Sequence, residues 1–591
     1  MRGGWWLIAL PALVQAQQSV VAPVPPRAVP EAVEAGAPPA AAPADGDWSA
    51  YGRSNAALRY SPLQTLDRDN VAALTLAWRY SLKDMPRDLK ARWAPHTTPL
   101  KVDDTLYLCS GRGSVIALDA ATGDQRWRHD SDLQADQFAG PATCRGVSFH
   151  ESLGANRDGL CRERILAGTA DGRVRALDAA SGRPCTDFGE QGVVTLPGDF
   201  SGPVSPPTLV RGVAVTRAGD RVVGLSAATG RLLWQWPPAE ARGQFAAEAV
   251  FSADEALGLV YVPLARPAML VAVDVTSGEA AWRFRGVHDD VWGYGLSAQA
   301  TLLPWPTPEG EVPALVLPTR QGELFVLDRA TGEPLVPVTQ QQTPTAYAPD
   351  GVLPASQPVS EGLPGPRARL LREEDIGGVS PVDQLWCRIQ FRRLAYQGRF
   401  TPPGPAPWLQ YPGDMGGIDW GGVSFDPERA LLVFNYNQVP MVGEIRDGVP
   451  YRTPWGEVDR LCLRPPHGGI MAVSTRAPAV RWDRPLGRAG LPLPFGLSLP
   501  LPGDTGTPNQ GGVLLTASGL AFVAATTDNL IRALDTETGE ELWRARLPAG
   551  GQATPISYAV DGRQYIALLA GGDYRLETPL GGELLVFSLP E

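Results

Sequence analysis

Apolar and polar positions alternate through much of the chain, and the alternation comes in a repeated unit. The unit reads apolar strand, Asp, small residues, Gly, a short polar spacer, Trp. It is plain in VIALDAATGDQRW (115–127), VRALDAASGRPC (174–185), VVGLSAATGRLLW (222–234), LVAVDVTSGEAAW (270–282), LFVLDRATGEPLV (324–336) and LIRALDTETGEELW (530–543). A worn copy is IMAVSTRAPAVRW (470–482). Period-two alternation predicts half-buried strands. Asp followed by Thr/Ser-Gly predicts a tight hairpin with glycine at positive φ. The closing Trp brings enough apolar area to dock one sheet on its neighbour. The Asp or Ser positions 119, 178, 226, 274 and 328 recur about every 50 residues, the blade length of a four-stranded propeller sheet.

The prediction is an all-β, eight-bladed β-propeller over 47–591, with Trp127, Trp234, Trp282 and Trp543 between blades. Seven copies of the unit are visible, and 386–440 is expected to supply the eighth blade. Leu584–Leu589 is expected to pair with the segment around Leu76–Tyr80 and close the ring. The stretches 336–375 and 485–507 read as Pro-rich loops. A seven-bladed WD-type scaffold is the alternative, although the repeats lack the WD dipeptide.

Composition narrows the function. Hydrophobic residues make up 44% of the chain and charged ones 19%, a globular balance, and 65 Gly with 58 Pro suit many short strands joined by turns. A net charge of −11 argues against nucleic acid, whose phosphates require a basic face. Arg2, the apolar run Trp5–Val14 and Val14-Gln15-Ala16 predict a signal peptide over 1–16. The run is too short to span a bilayer, and the mature chain is expected to have no transmembrane domain. Residues 17–46 read as a Pro/Ala-rich linker. Six cysteines fit an oxidising compartment. Cys144 and Cys161 flank a polar loop and are expected to pair, with Cys109, Cys185, Cys387 and Cys462 as buried thiols.

Longer stretches carry a resemblance. They include DWSAYGRSNAALRYSPLQTLDRDNV (47–71), TPLKVDDTLYLCS (98–110), CRGVSFHE (144–151), GELFVLDRATGEPLVPV (322–338), DQLWCRIQF (383–391), WGGVSFDP (420–427), GTPNQGG (506–512) and LPAGGQATPISY (547–558). Together with the Trp repeat, they resemble the pyrroloquinoline-quinone (PQQ) dehydrogenases of the glucose/quinate/polyol branch, without that branch's membrane domain. The resemblance implies a periplasmic oxidoreductase. A carboxylate takes the hydroxyl proton of an alcohol or sugar, hydride passes to PQQ, a divalent cation (usually Ca²⁺) polarises the cofactor, and electrons leave to a quinone or cytochrome.

The resemblance assigns cofactor contacts to His150, Arg320, Trp420, Asn435, Asn509 and Asp528. It also marks departures. The family pattern His-x-Asp-x-Trp-Asp, whose last Asp is the base, reads here as His288-Asp289-Asp290-Val291-Trp292-Gly293. The Glu expected before TPLKV is His96, the expected Asn and Trp are Ala246 and Glu248, and the late Gly-Gly-His reads Gly571-Gly572-Asp573. His96 is therefore a candidate cofactor contact, and Asp290 and Glu248 are candidate replacement bases. With Gly293 at the base position and a shortened ligand loop after Ser205-Pro206-Pro207, the metal ligands are unknown and Ca²⁺ binding is expected to be weak or absent. A working dehydrogenase with a relocated base is one reading. A catalytically degenerate propeller serving as a binding or assembly scaffold is the other. A hydrolase has no nucleophile–base motif behind it.

Overall fold

Each repeat folds as its turn chemistry dictates. In the first, Asp119 Oδ1 accepts from the backbone N–H of Ala121 and Thr122, both at 3.0 Å, and Gly123 N–H returns to Asp119 O at 2.9 Å. Asp274, Asp328 and Asp535 make the same bonds in their own hairpins. The repeat Asp is thus a turn anchor. The glycine has a second duty. A Cβ on Gly182, Gly278, Gly332 or Gly539 would lie 2.5–2.7 Å from the indole of Trp127, Trp234, Trp282 or Trp482 respectively, which belongs to the preceding sheet. Each indole N–H then donates across the gap: Trp127 to Ala179 O (2.8 Å), Trp234 to Val275 O (2.7 Å), Trp282 to Arg329 O (3.2 Å) and Trp482 to Thr536 O (2.8 Å).

The computed structural model describes residues 44–85, 92–138, 140–152, 159–198, 205–237, 244–245, 250–344, 353–378, 380–457, 460–492, 498–501 and 503–590. The expected signal peptide and nearly all of the linker lie outside them. Among the described residues, eight antiparallel meanders follow one another. They span 100–129, 148–195, 208–236, 252–285, 301–328, 424–485 (with an insertion), 514–546 and 556–588. The last is completed by Thr75–Ser81, which pairs antiparallel with Glu583–Ser588, Leu76 opposite Phe587 and Tyr80 opposite Leu584. Each meander shares an apolar core with the next, and one cluster joins the seventh, the eighth and the first. The sheets therefore close on themselves as a β-propeller. Among the described residues no helix is long and apolar enough to cross a membrane.

Two expectations need correction. Residues 386–440 do not form the eighth blade. They hold the end of helix α1 (Pro381–Phe391), part of a small sheet (Trp408–Gln410, Met441–Arg446, Val449–Pro454) and the first strands of the sixth meander. The eighth is built from the two chain ends, which lack the Asp-Gly-Trp unit. Cys144 does not pair with Cys161. The disulfides are Cys109–Cys144, Cys161–Cys185 and Cys387–Cys462, and no described cysteine is free. Pairing follows proximity across strands, which the polarity of an intervening loop does not encode.

Candidate active site

The loop from Tyr411 to Val423, between the small sheet and the sixth meander, carries the densest chemistry. It brings Asp419 and Trp420 into contact with residues of other segments and sets Asp414 beside Gly293. Asp419 Oδ1 lies 3.2 Å from the Arg320 guanidinium and accepts from Ser297 Oγ at 3.1 Å, while Gln510 Nε2 stands 3.5 Å from Oδ2. Gln510 Oε1 accepts from Arg575 (3.3 Å), which pairs with Asp573 at 3.0 Å. Asp573 lies 3.1 Å from His96 Nε2, and His96 stacks on Trp420 with ring centroids 4.9 Å apart. The Arg145 guanidinium sits 3.8 Å from the centroid of the same indole. One polar chain thus runs from Arg320 to His96 and Trp420, drawing on the fifth to eighth meanders and the segment before the first.

Burial sets the charge states. His96 and Asp573 are inaccessible to solvent. Burial lowers the His96 imidazole pKa, opposed by Asp573. Burial would raise the Asp573 carboxyl, but the close His96 imidazole and the Arg575 charge outweigh it and hold the group well below the ordinary range. Asp573 is therefore an ionised hub between a neutral histidine and a guanidinium.

The predicted contacts divide. Arg320, Trp420 and His96 belong to the polar chain. Asn435 donates to Asn509 Oδ1 at 2.7 Å, and Asn509 is otherwise engaged with Asn437, Tyr436 O and Thr507 O. Asn509 therefore holds the backbone beside Gln510. His150 stands apart: no hydrogen bond or ring contact among the described residues joins it to the chain, and its Nε2 is buried without a partner. Burial, helped by Arg164, lowers its pKa to about 4. Asp528 ties its own turn, pairing with Arg532 and accepting from Thr526 Oγ1 (2.6 Å) and Arg488 N (3.0 Å). Asp290 Oδ1 caps the turn below Gly293, accepting from Trp292 N (3.0 Å) and Gly293 N (2.9 Å). Glu248 and Ala246 lie outside the described residues.

Trp420 is 2% exposed, with both His96 and Arg145 against it. A flat ligand reaches its ring only after one of them shifts. The reading of the sequence missed Arg145, Asp414, Asp419, Gln510, Arg452 and Arg575. The available signal was local: Arg145 stands inside CRGVSFHE, Gln510 inside GTPNQGG, and both aspartates sit in a Gly-rich loop running into WGGVSFDP.

The histidine makes a prediction. His150 binds a proton in the unfolded chain near pH 6.5 but in the fold only near pH 4. Stability is then expected to fall as pH drops from about 6.5 to about 4 and to level off below. Thermal melts of His150→Gln across this window should show a shallower slope than wild type, and an unchanged slope would remove His150 as a contributor.

The family model for the β-propeller domain of PQQ-dependent glucose, ethanol and alcohol dehydrogenases matches residues 48–459 and 447–566. The chain belongs to the PQQ-dependent dehydrogenase family. It is 38% identical to the glycerol dehydrogenase large subunit of Gluconobacter oxydans (strain 621H) over 93% of this chain and 86% of that one. It is 33% identical to the quinoprotein glucose dehydrogenase of Escherichia coli (strain K12) over 93% and 79%. Among solved structures, the quinohemoprotein alcohol dehydrogenase of Pseudomonas putida HK5 superposes with a TM-score of 0.65 at 22% identity, over 92% of this chain and 80% of that one, a likeness of fold.

The quinoprotein's polar set fits the family cofactor. PQQ is a planar quinone bearing several carboxylates. Two buried polar atoms without partners, Trp420 Nε1 and Asn435 Oδ1, stand with the cations Arg145 and Arg320 as groups able to meet such a ligand. Among the described residues no three carboxylate or imidazole ligand atoms gather closely. Among the described residues, the one cluster of three His, Cys, Asp or Glu ligand atoms within 4.8 Å is the Cys161–Cys185 disulfide with Asp187, which offers no thiolate.

Proposed function

We propose that this quinoprotein oxidises a polyol, sugar or cyclic hydroxy acid in the periplasm and passes the electrons to a quinone or cytochrome. The observation that carries the reading is the polar chain from Arg320 through Asp419, Gln510, Arg575 and Asp573 to His96. A propeller that merely keeps its shape has no need of such a chain, since drawing charges out of water costs several kcal/mol per ion before pairing offsets it. Relatives acting on glycerol, glucose and quinate at 38%, 33% and 29% identity support the substrate class, polyols first. The scaffold reading gains no support from them.

PQQ, when bound, supplies the two-electron oxidant. The protein's part is electrostatic and positional. Arg320, fixed by Asp419, presents a permanent cation to developing negative charge. His150, neutral above pH 4, can donate or accept without adding charge. Asn435 is oriented by Asn509 and keeps its Oδ1 for a ligand.

The test is reconstitution of the purified chain with PQQ, followed by dye reduction with glycerol, glucose and quinate. Turnover on at least one, strictly dependent on PQQ, is expected. Failure to bind PQQ at all would return the scaffold reading. Calorimetry with Ca²⁺ in the presence of PQQ is expected to show affinity weaker than micromolar, because Ca²⁺ wants about six to eight oxygens. Micromolar or tighter binding would refute that expectation.

A further inference from the structure

We propose that Asp414 is the proton acceptor of this dehydrogenase, reaching from the neighbouring loop into the space a side chain at residue 293 would occupy. The inference rests on the dehydrogenase reading above. Gly293 has φ +79°, and a Cβ built on it would lie 3.4 Å from Asp414 Cβ and 3.9 Å from Asp414 Oδ2. A carboxylate there can come from residue 293 or from residue 414, and in this chain residue 414 supplies it.

Two of the neighbouring carboxylates are committed elsewhere. Asp419 is held by Arg320 and Ser297, and Asp573 by His96 and Arg575. Asp290 spends Oδ1 on the turn that positions Gly293, while its Oδ2 is buried without a partner, which makes it the competing carboxylate that Asp290→Asn tests. Asp414 Oδ1 is buried and has no hydrogen-bond partner, while the residue as a whole is only half-buried. An ionisable oxygen in that state is ready to accept a proton.

The surroundings suit the role. Arg320 and Arg452 lie within electrostatic reach of Asp414, as does the like charge of Asp419. Arg452 is itself fixed by Gln410 Oε1 (2.9 Å) and Val291 O (2.5 Å), and Asp290 acts on it electrostatically. Burial raises the Asp414 carboxyl above the ordinary range, and the two guanidiniums oppose that rise. In the reaction the substrate O–H bond breaks and its proton goes to an Asp414 oxygen. The carbinol hydrogen leaves with its electron pair to the quinone oxidant, which is reduced by two electrons as the carbinol becomes a carbonyl.

The experiment uses the full chain with PQQ and four variants: Asp414→Asn, Asp414→Ala, Asp290→Asn and the double variant Gly293→Asp/Asp414→Asn. PQQ binding is followed by quenching of tryptophan fluorescence, and kcat/KM by dye reduction across pH. Asp414→Asn is expected to bind PQQ much as wild type does, to lose roughly 10²–10⁴ in kcat/KM, and to lose the fall of activity on the acid side. Formate is expected to rescue Asp414→Ala, and the double variant to regain at least about tenfold over Asp414→Asn by returning a carboxylate to the same space. The proposal is overturned if Asp414→Asn keeps activity within about tenfold of wild type, or if Asp290→Asn alone abolishes the acid limb. If wild type binds no PQQ, the dehydrogenase reading falls, and this assignment with it. Wild-type turnover with an active Asp414→Asn sinks the assignment alone.

Discussion

Arg320→Ala is expected to lower PQQ-dependent kcat/KM by about 10²–10³, the usual cost of removing one preorganised charge from a reacting centre. The fold should survive, because Asp419 keeps Ser297 Oγ at 3.1 Å and Gln510 within reach, so no carboxylate is left stranded. The loss should therefore appear in cofactor affinity and turnover while the melting temperature stays close to wild type. Arg320→Lys should fall between the two, since an ammonium keeps the charge but cannot present the planar fork. Fluorescence titration with PQQ and dye-reduction kinetics on the three proteins check this. An alanine variant within about tenfold of wild type would place Arg320 outside the reacting centre.

Gly278→Val is expected to damage the scaffold severely, costing about 5 kcal/mol. The Cβ would stand 2.6 Å from Trp234 Cβ and Cγ, so the indole must leave the glycine and release its 2.7 Å bond to Val275 O. Displacing a docked Trp costs on the order of 3–5 kcal/mol, as its truncation would. Holding a β-branched residue at φ +72° adds roughly 1–2 kcal/mol. Gly562→Val separates the two terms, because Gly562 has φ +79° and nothing within 4 Å of its Cβ position. Denaturant midpoints should show a large loss for the first and a small one for the second. Equal losses would mean that ring-on-glycine docking contributes nothing.

What the sequence made legible was local. The Asp anchors, the positive-φ glycines and the Trp that follows them act within one hairpin or between consecutive ones, so their spacing announced the propeller and the family. The eighth meander was misplaced because it carries no such unit: its partners, residues 75–81 and 583–588, lie at opposite ends of the chain. The disulfides were misread for the same reason. The active site behaved likewise. Gly293 stood out against the family pattern, and Asp290, three residues before it, and Glu248 were the candidates to replace the lost carboxylate. Asp290 turned out to be a turn cap, and the carboxylate beside Gly293 comes from Asp414, on a loop whose approach no periodicity reveals. Arg145 was overlooked because a guanidinium against an indole is a contact between distant segments.

The strand Thr75–Ser81 works as a clasp whose other half, Glu583–Ser588, is the last strand of the eight meanders to be made. Thr75 and Ser588 meet across a sequence separation of 513 residues, and closing so long a loop costs roughly 5–6 kcal/mol of chain entropy before any contact offsets it. The seven other meanders can form as translation proceeds, but until Glu583–Ser588 emerges the ring remains an open crescent. Its unpaired edges are then available to other chains. A premature stop just before Glu583 would thus spare every residue of the polar chain and still deny the protein its closed form. Rejoining the ends and cutting the chain in an exposed hairpin elsewhere would turn the clasp into an ordinary strand.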